Sequence, residues 1–160
     1  MWCFNEPVAR VFAKTGHLVH KQVTSHDFAL ITMRFEGGGI ALVEGSFALP
    51  KQSPFTTRLD INGTKGMVQL DNQTPIPVRL MTDEANQTFA PETLPWKPAI
   101  HPFPVDPFYR ELQHFVDSVR NNTKPLTDGE TSRKSLEVCL AALKSAELHE
   151  PVKLPMRGPL

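Results

Sequence analysis

The sequence predicts an α+β fold: a predominantly antiparallel open sheet of about six strands, with helices packed on one face. Three observations carry this. Residues 8–81 fall into short runs rich in β-branched and aromatic residues, separated by glycine- and asparagine-containing turn signals. The links between these runs are too short for crossover helices, so neighbouring strands form a meander. Two helical periodicities then follow, over 107–121 and 128–149.

The chain opens on Met1-Trp2-Cys3-Phe4, an apolar cluster, followed by Asn5-Glu6-Pro7. Residues 1–6 read as the tail of a helix whose body is missing, stopped by Asn and Pro. Val8 to Val19 is a first strand, placed at a sheet edge by Pro7. Phe28 to Phe35 is a second, with Ala29, Ile31, Met33 and Phe35 on one face and Thr32 and Arg34 on the other. Glu36-Gly37-Gly38-Gly39 supplies a tight hairpin, and Ile40 to Leu49 returns as a third strand. Phe55 to Ile61 is a fourth, Asn62-Gly63-Thr64-Lys65-Gly66 a turn, Met67 to Leu70 a fifth strand and Val78 to Met81 a sixth. Residues 82–106 are a long loop carrying Pro91, Pro95, Pro98, Pro102 and Pro104, with Trp96 as its large aromatic.

Asp106-Pro107 opens the first long helix, with Asp as cap and Pro at the first helical position. Phe108, Leu112, Phe115 and Val119 recur at the spacing of a buried stripe, and Asn121-Asn122 ends the helix. Thr127-Asp128-Gly129-Glu130 reads as a capping box made by Thr127 and Glu130. Leu136, Cys139, Leu140 and Leu143 form the second helix's apolar face, and Ala141, Ala142 and Ala146 permit close approach. Val152-Lys153-Leu154-Pro155 is a short extended tail. The whole chain, 1–160, reads as a single domain.

Composition excludes several function classes. Lys plus Arg equals Asp plus Glu at 17 each, so nothing favours a nucleic-acid or anionic-membrane partner. No run approaches the roughly 20 apolar residues of a membrane span. Cys3 and Cys139 are far apart and form no CxxC pair, which fits a reduced, cytoplasmic protein. The Asn-x-Thr triplets at Asn62, Asn72, Asn86 and Asn121 read as turn chemistry rather than glycosylation sites. The glycines at 37–39 are followed by a strand rather than a helix, so they are a hairpin and not a dinucleotide-binding loop. His17 and His20 lie three apart in an expected strand and point to opposite faces. His26-Asp27 are sequence neighbours, which is not the geometry of a catalytic pair. His101, His114 and His149 read as solvated or locally bonded. No serine elbow, HExxH motif or paired-carboxylate spacing is present, and no metal site is expected.

The order of the pieces is more telling than any one of them. The runs MWCFNEP (2–7 with Met1), HDFALITMRFEGGGIALVEG (26–45), RLDINGTKGMVQL (58–70), FYRELQHFVDSV (108–119) and the stretch from Pro125 to Pro155 resemble, in sequence and order, the C-terminal domain of the glucose–fructose oxidoreductase / inositol dehydrogenase / rhizopine-catabolism (Gfo/Idh/MocA) family. The resemblance implies a parent enzyme with an N-terminal Rossmann domain that binds NAD or NADP and oxidises or reduces a carbinol of a sugar, polyol or related compound. That Rossmann domain is missing here. The family's Glu-Lys-Pro lysine and helix histidine map to no position: Trp96-Lys97-Pro98 and Thr123-Lys124-Pro125 are misplaced, and the histidine would lie upstream of Trp2. No catalytic and no cofactor-binding residue is therefore assigned. Correspondence with family positions makes Phe55, Arg58, Trp96 and Tyr109 the substrate-facing candidates. A non-catalytic substrate-side and association domain is the leading reading; a freestanding dimerisation or ligand-binding module is the alternative. Residues 28–33 and 40–43 are apolar on both strand faces, so a homodimer through the open sheet face is expected, as the family also implies.

Overall fold

The computed structural model describes residues 3–74, 78–89 and 107–156. The class is α+β, but the strands divide into two four-stranded antiparallel sheets rather than one sheet of about six. They belong to two compact units, residues 1–51 with 126–160, and residues 52–125.

The first unit is built on β1 (Val8–Gly16), β2 (Phe28–Phe35), β3 (Ile40–Ser46) and the two-residue β8 (Val152–Lys153), in the order β3-β2-β1-β8. Strand β1 is therefore internal, not an edge. The extended tail supplies its second neighbour, pairing Arg10 with Lys153 and Val11 with Val152. Pro7 stands just ahead of the strand, where its missing N–H removes no ladder bond. The β2–β3 hairpin forms at the glycines, with Phe35 N donating to Gly39 O at 2.8 Å and Gly38 at φ 95°. Residues 3–6 form a turn with Asn5 left-handed at φ 50°. Phe4 stacks on Phe35 with ring centroids 4.2 Å apart, and Gly37 N donates to Glu6 Oε2.

Helix α2 (Gly129–Leu148) packs on β1 and β8. Val11, Ala13 and Phe35 meet Ala141 and Ala142, all nearly or wholly inaccessible to solvent. The alanines let helix and sheet approach closely, as their positions predict. The cap differs from the expected box. Asp128 is the N-cap, accepting from Thr131 N at 2.7 Å, while Glu130 pairs with Lys134 one turn on at 3.1 Å. A carboxylate at the helix start satisfies an orphan donor and favours the positive end of the helix dipole, so Asp128 displaces Thr127. At the far end His149 adopts the left-handed conformation that closes the helix.

The second unit contains β4 (Arg58–Gly63), β5 (Gly66–Asp71), β6 (Val78–Met81) and β7 (Asn86–Phe89), paired in sequence order. The start of the expected 82–106 loop is thus a strand; residues 90–106, with Trp96, His101 and the Asp106 cap, lie outside the described residues. Gly63 and Gly66 face each other across Thr64-Lys65, and Gly66 at φ 150° approaches Met81 O too closely for any side chain. Pro50 and Pro54, between β3 and β4, cannot donate to a ladder, which explains why β4 starts a new meander. Leu59, Leu70 and Val78 share one face in register, and Asp60, Gln69, Arg79 and Thr88 form a polar row on the other.

Helix α1 (Pro107–Arg120) also belongs to this unit. Its apolar stripe forms at the predicted spacing but is not buried: Phe108, Leu112, Phe115 and Val119 are 58–67% exposed. Periodicity specifies a helix with one apolar face. It does not specify what covers that face.

Candidate functional site

The four candidate positions fare differently. Phe55 and Arg58 lie at the same end of the β4–β5 hairpin, where Arg58 opens β4 and its register partner Asp71 closes β5. The turn after Asp71 folds back onto the residues before β4. Asn72 Nδ2 and Gln73 Nε2 both donate to Phe55 O, at 2.8 and 3.0 Å, and Thr57 N donates to Asn72 Oδ1 at 2.8 Å. These bonds fix the backbone of residues 55–57 while Phe55 as a whole remains 72% exposed.

Arg58 is oriented in turn. Its Nε donates to Asp60 Oδ2 at 2.9 Å, and Gln69 Nε2, directly across the ladder, donates to Asp60 Oδ1 at 2.9 Å. Those two hydrogen bonds, Gln69 first and Arg58 second, hold the Asp60 carboxyl below its ordinary range, so it stays ionised. The corner offers an exposed aromatic residue and an Arg58 side chain that is 62% exposed. It can stack and donate hydrogen bonds, and the Asp60 carboxylate can accept them. Tyr109 is on α1, where its hydroxyl donates to Gln113 Oε1 at 3.4 Å, one helical turn along. Trp96 lies outside the described residues.

The most organised polar cluster was not singled out from the sequence. Asp27 is buried and accepts three main-chain hydrogen bonds, from Leu18, Val19 and His20, at 2.7–2.8 Å. The bonds from Leu18 and His20 do most to pull its carboxyl far below the ordinary range. Strand β1 ends at Gly16, so His17 and His20 lie in this loop and not on opposite strand faces. Their Nε2 atoms donate to His20 O and Phe47 O, respectively. Asp27 is a loop staple, and the only signal for it was a carboxylate facing a polar, glycine-free connection. Asn72 does perform turn chemistry, whereas Asn62 and Asn86 lie in strands.

Among the described residues, neither the glycine turn nor the capped helix start fits a nicotinamide dinucleotide. The Gly37–Gly39 segment is a hairpin turn whose Gly37 N–H is taken by the Glu6 carboxylate. The N-terminus of α2 is filled by Asp128 and followed by Glu130, both repulsive to a pyrophosphate. Among the described residues no group of three His, Cys, Asp or Glu side chains is placed to hold a metal ion, and no helix is long and apolar enough to cross a membrane.

The first unit is a four-stranded antiparallel sheet packed against an alanine-faced helix, an α+β arrangement. Comparison with known proteins gives its lineage. Residues 1–154 match the oxidoreductase family, C-terminal alpha/beta domain, and the chain belongs to that family. It is 25% identical over 152 residues to the uncharacterized oxidoreductase YrbE of Bacillus subtilis strain 168, covering 92% of this chain and 42% of that protein. Solved structures of similar fold include an oxidoreductase from Agrobacterium radiobacter in complex with NAD+, L-tartaric acid and magnesium, at TM-score 0.76 and 23% identity, covering 92% of this chain and 43% of that one. The aldose–aldose oxidoreductase of Caulobacter crescentus, complexed with glycerol, gives TM-score 0.71 at 19% identity, over 93% of this chain and 42% of the other. The chain thus spans less than half the length of the relatives it matches.

Proposed function

We propose that this chain is the substrate-side and subunit-association domain of an oxidoreductase that uses NAD or NADP to act on a sugar, a polyol or a related carbinol, and that it is not catalytic alone. The observation that carries this reading is the family match over residues 1–154 against relatives of which the chain spans only about two-fifths. Dinucleotide binding then falls to a Rossmann domain outside these residues; the bound nicotinamide supplies the hydride acceptor or donor. This chain contributes substrate contacts at the Phe55–Arg58 corner. The Agrobacterium relative's NAD+ and the Bordetella pertussis WlbA dehydrogenase's NADH support the cofactor class.

Subunit association is assigned to the face of the first sheet opposite α2. Register places Leu30, Ile40 and Leu42 there, Ile40 and Leu42 being about two-thirds exposed. A second copy meeting this face about a two-fold axis removes all three from water. Exposed, unpaired Cys3 and Cys139 are consistent with a reducing, cytoplasmic setting.

The test has two arms. Calorimetric titration of the 160-residue chain with NADH and NADPH gives no binding, and the chain alone reduces no NAD+ with aldoses or polyols. The protein expressed from its natural gene, sized by intact mass, carries a dinucleotide-binding segment and turns over a member of that panel. Micromolar dinucleotide affinity in the chain alone, or a natural protein inert to every aldose and polyol, overturns the reading.

A further inference from the structure

Three glycines stand at the β2–β3 hairpin, and the turn itself needs only one of them. Gly38 is left-handed at φ 95°, a conformation that favours glycine, and a Cβ built on it would meet nothing within 4 Å. Gly37 and Gly39 have no positive φ, so the turn alone would accept side chains at both. What excludes a side chain there is a different part of the chain. A Cβ on Gly39 would lie 2.7 Å from Cδ1 and Cε1 of the Phe4 ring, and a Cβ on Gly37 would fall onto the Glu6 carboxylate.

Residues 4–7 are held on this surface by three interactions of different kinds. The Phe4 ring stacks on Phe35, a buried member of the core. Gly37 N donates to Glu6 Oε2 at 2.9 Å, and Glu36 N donates to Pro7 O at 3.1 Å. Two backbone features aim the segment at the hairpin. Asn5 is left-handed at φ 50°, and the β1–β2 register slips by one residue between Val8 and Arg10. Such a bulge bends a strand and redirects what adjoins it. The bend is secured from its other side, because the carbonyl of Ala9 accepts from Leu154 N at 2.9 Å.

We propose that Gly37 and Gly39 are a seat that clasps residues 4–7 to the β2–β3 hairpin, and that this clasp fixes the direction in which the chain ahead of Cys3 meets the first sheet. The second part rests on the reading of this chain as a substrate-side domain, in which a dinucleotide-binding domain precedes it. Phe4 and Glu6 are then positioning residues, which stiffen the joint between the two domains.

Cys3, exposed and unpaired, serves as the reporter. Cys139→Ser leaves it the sole thiol for a nitroxide label. In that 160-residue chain the label gives the spectrum of an ordered site. Gly39→Ala and Phe4→Ala, each with unchanged far-ultraviolet dichroism, convert it to a mobile one. Gly45→Ala is the control, since its Cβ meets nothing within 4 Å, and it leaves the spectrum as it was. Glu6→Ala, which touches no core group, speeds amide exchange at Gly37 by about two- to tenfold, the range of one hydrogen bond. In the natural protein, chymotrypsin cuts after Phe4 several-fold faster in Gly39→Ala than in wild type, because the clasp must open before that bond is accessible.

A label already mobile before any glycine is changed overturns the clasp. So does a spectrum that neither Gly39→Ala nor Phe4→Ala alters, or that Gly45→Ala alters equally, or unchanged exchange at Gly37 in Glu6→Ala. Unchanged cleavage after Phe4 in the natural protein overturns its role at the joint. None of these readouts needs a dinucleotide or turnover. A mobile Cys3 label, in a protein whose natural form oxidises polyols, refutes this inference and leaves the proposed function standing. A natural protein without a dinucleotide-binding segment overturns that function, while an ordered label still upholds the clasp.

Discussion

Ser145→Ala is the substitution for which the structure gives the sharpest expectation. The residues of β1 whose main-chain groups face β2 are Arg10, Phe12, Lys14 and Gly16, opposite Arg34, Thr32, Leu30 and Phe28. Those of Val11 and Ala13 face the other way, toward β8. Strand β8 ends after Val152 and Lys153, so it serves Val11 and stops short of Ala13. Ala13 is wholly buried, and its N–H would have no partner. Ser145 Oγ takes that place, accepting from Ala13 N at 3.1 Å and donating to Glu150 O at 2.6 Å. One hydroxyl thereby extends the sheet's hydrogen bonding into the helix that covers it and ties down the turn after that helix.

Removing it leaves two groups unserved, with unequal consequences. Glu150 is exposed, so water replaces its lost donor at little cost. The Ala13 N–H sits where water has no access, and orphaning such a donor costs about 1–3 kcal/mol. For a chain of this size that corresponds to a fall in melting temperature of about 2–12 °C. Ser135→Ala is the control, because that hydroxyl bonds only Thr131 O on its own exposed helical turn; it changes stability by less than about 0.5 kcal/mol. Calorimetry gives the global effect, and amide hydrogen exchange at Ala13 gives the local one. A Ser145→Ala protein that melts with wild type and keeps a protected Ala13 amide refutes the assignment of this hydroxyl as the missing ladder acceptor.

Asp27→Asn tests the loop staple through pH. Because the folded-state pKa of Asp27 is depressed, its contribution is complete above the unfolded value of about 3.9 and is lost as pH falls through the folded one. Wild type therefore loses melting temperature more steeply than Asp27→Asn below about pH 4, and parallel acid limbs would exclude the staple. Phe115→Asp on α1 leaves melting temperature within about a degree or two, as an exposed substitution should; a drop comparable to a core truncation would show the stripe to be covered in solution. Leu42→Asp places like charges across the proposed two-fold face, and sedimentation equilibrium shows dimer in wild type and monomer in the variant. A wild type that stays monomeric at high concentration removes the association role.

What the sequence made legible was whatever local chemistry decides. The glycine hairpin after Phe35 and the Thr64-Lys65 turn were readable because positive φ and missing side chains act within a few residues, whereas the start of α2 was placed correctly but its cap was given to Thr127 instead of Asp128. The alternation along β2 foretold its buried face, and Ala141 and Ala142 foretold close helix packing, since both are consequences of period and volume. The errors share a different origin. Strand β1 read as an edge because its second neighbour lies more than 130 residues downstream in a two-residue strand, too short to carry a periodic signal. One sheet was expected where two form, because Pro50 and Pro54 mark where a ladder stops without saying where the next begins. The α1 stripe read as buried because periodicity reports amphipathicity, not occupancy.

The candidate corner lies between these extremes. Phe55 and Arg58 came to attention through family correspondence, yet what distinguishes them is invisible in either residue alone. The clamp on Phe55 comes from Asn72 and Gln73, and the charge state around Arg58 comes from Gln69 through Asp60. Each link crosses the β4–β5 ladder and exists only in the observed register, with Asp60 opposite Gln69 and Arg58 opposite Asp71. A slip of one residue would turn Gln69 to the other face, free Asp60 and leave Arg58 unheld, with the hairpin's composition unchanged. That register is held at its far end by Gly63 and Gly66, whose two-residue turn leaves no slack. The geometry of the corner therefore depends on a glycine turn at the opposite end of the hairpin. Lengthening that turn by one residue should abolish the Asp60–Gln69 hydrogen bond and lower the acid-limb stability that the held Asp60 carboxyl contributes, even in a chain that still folds.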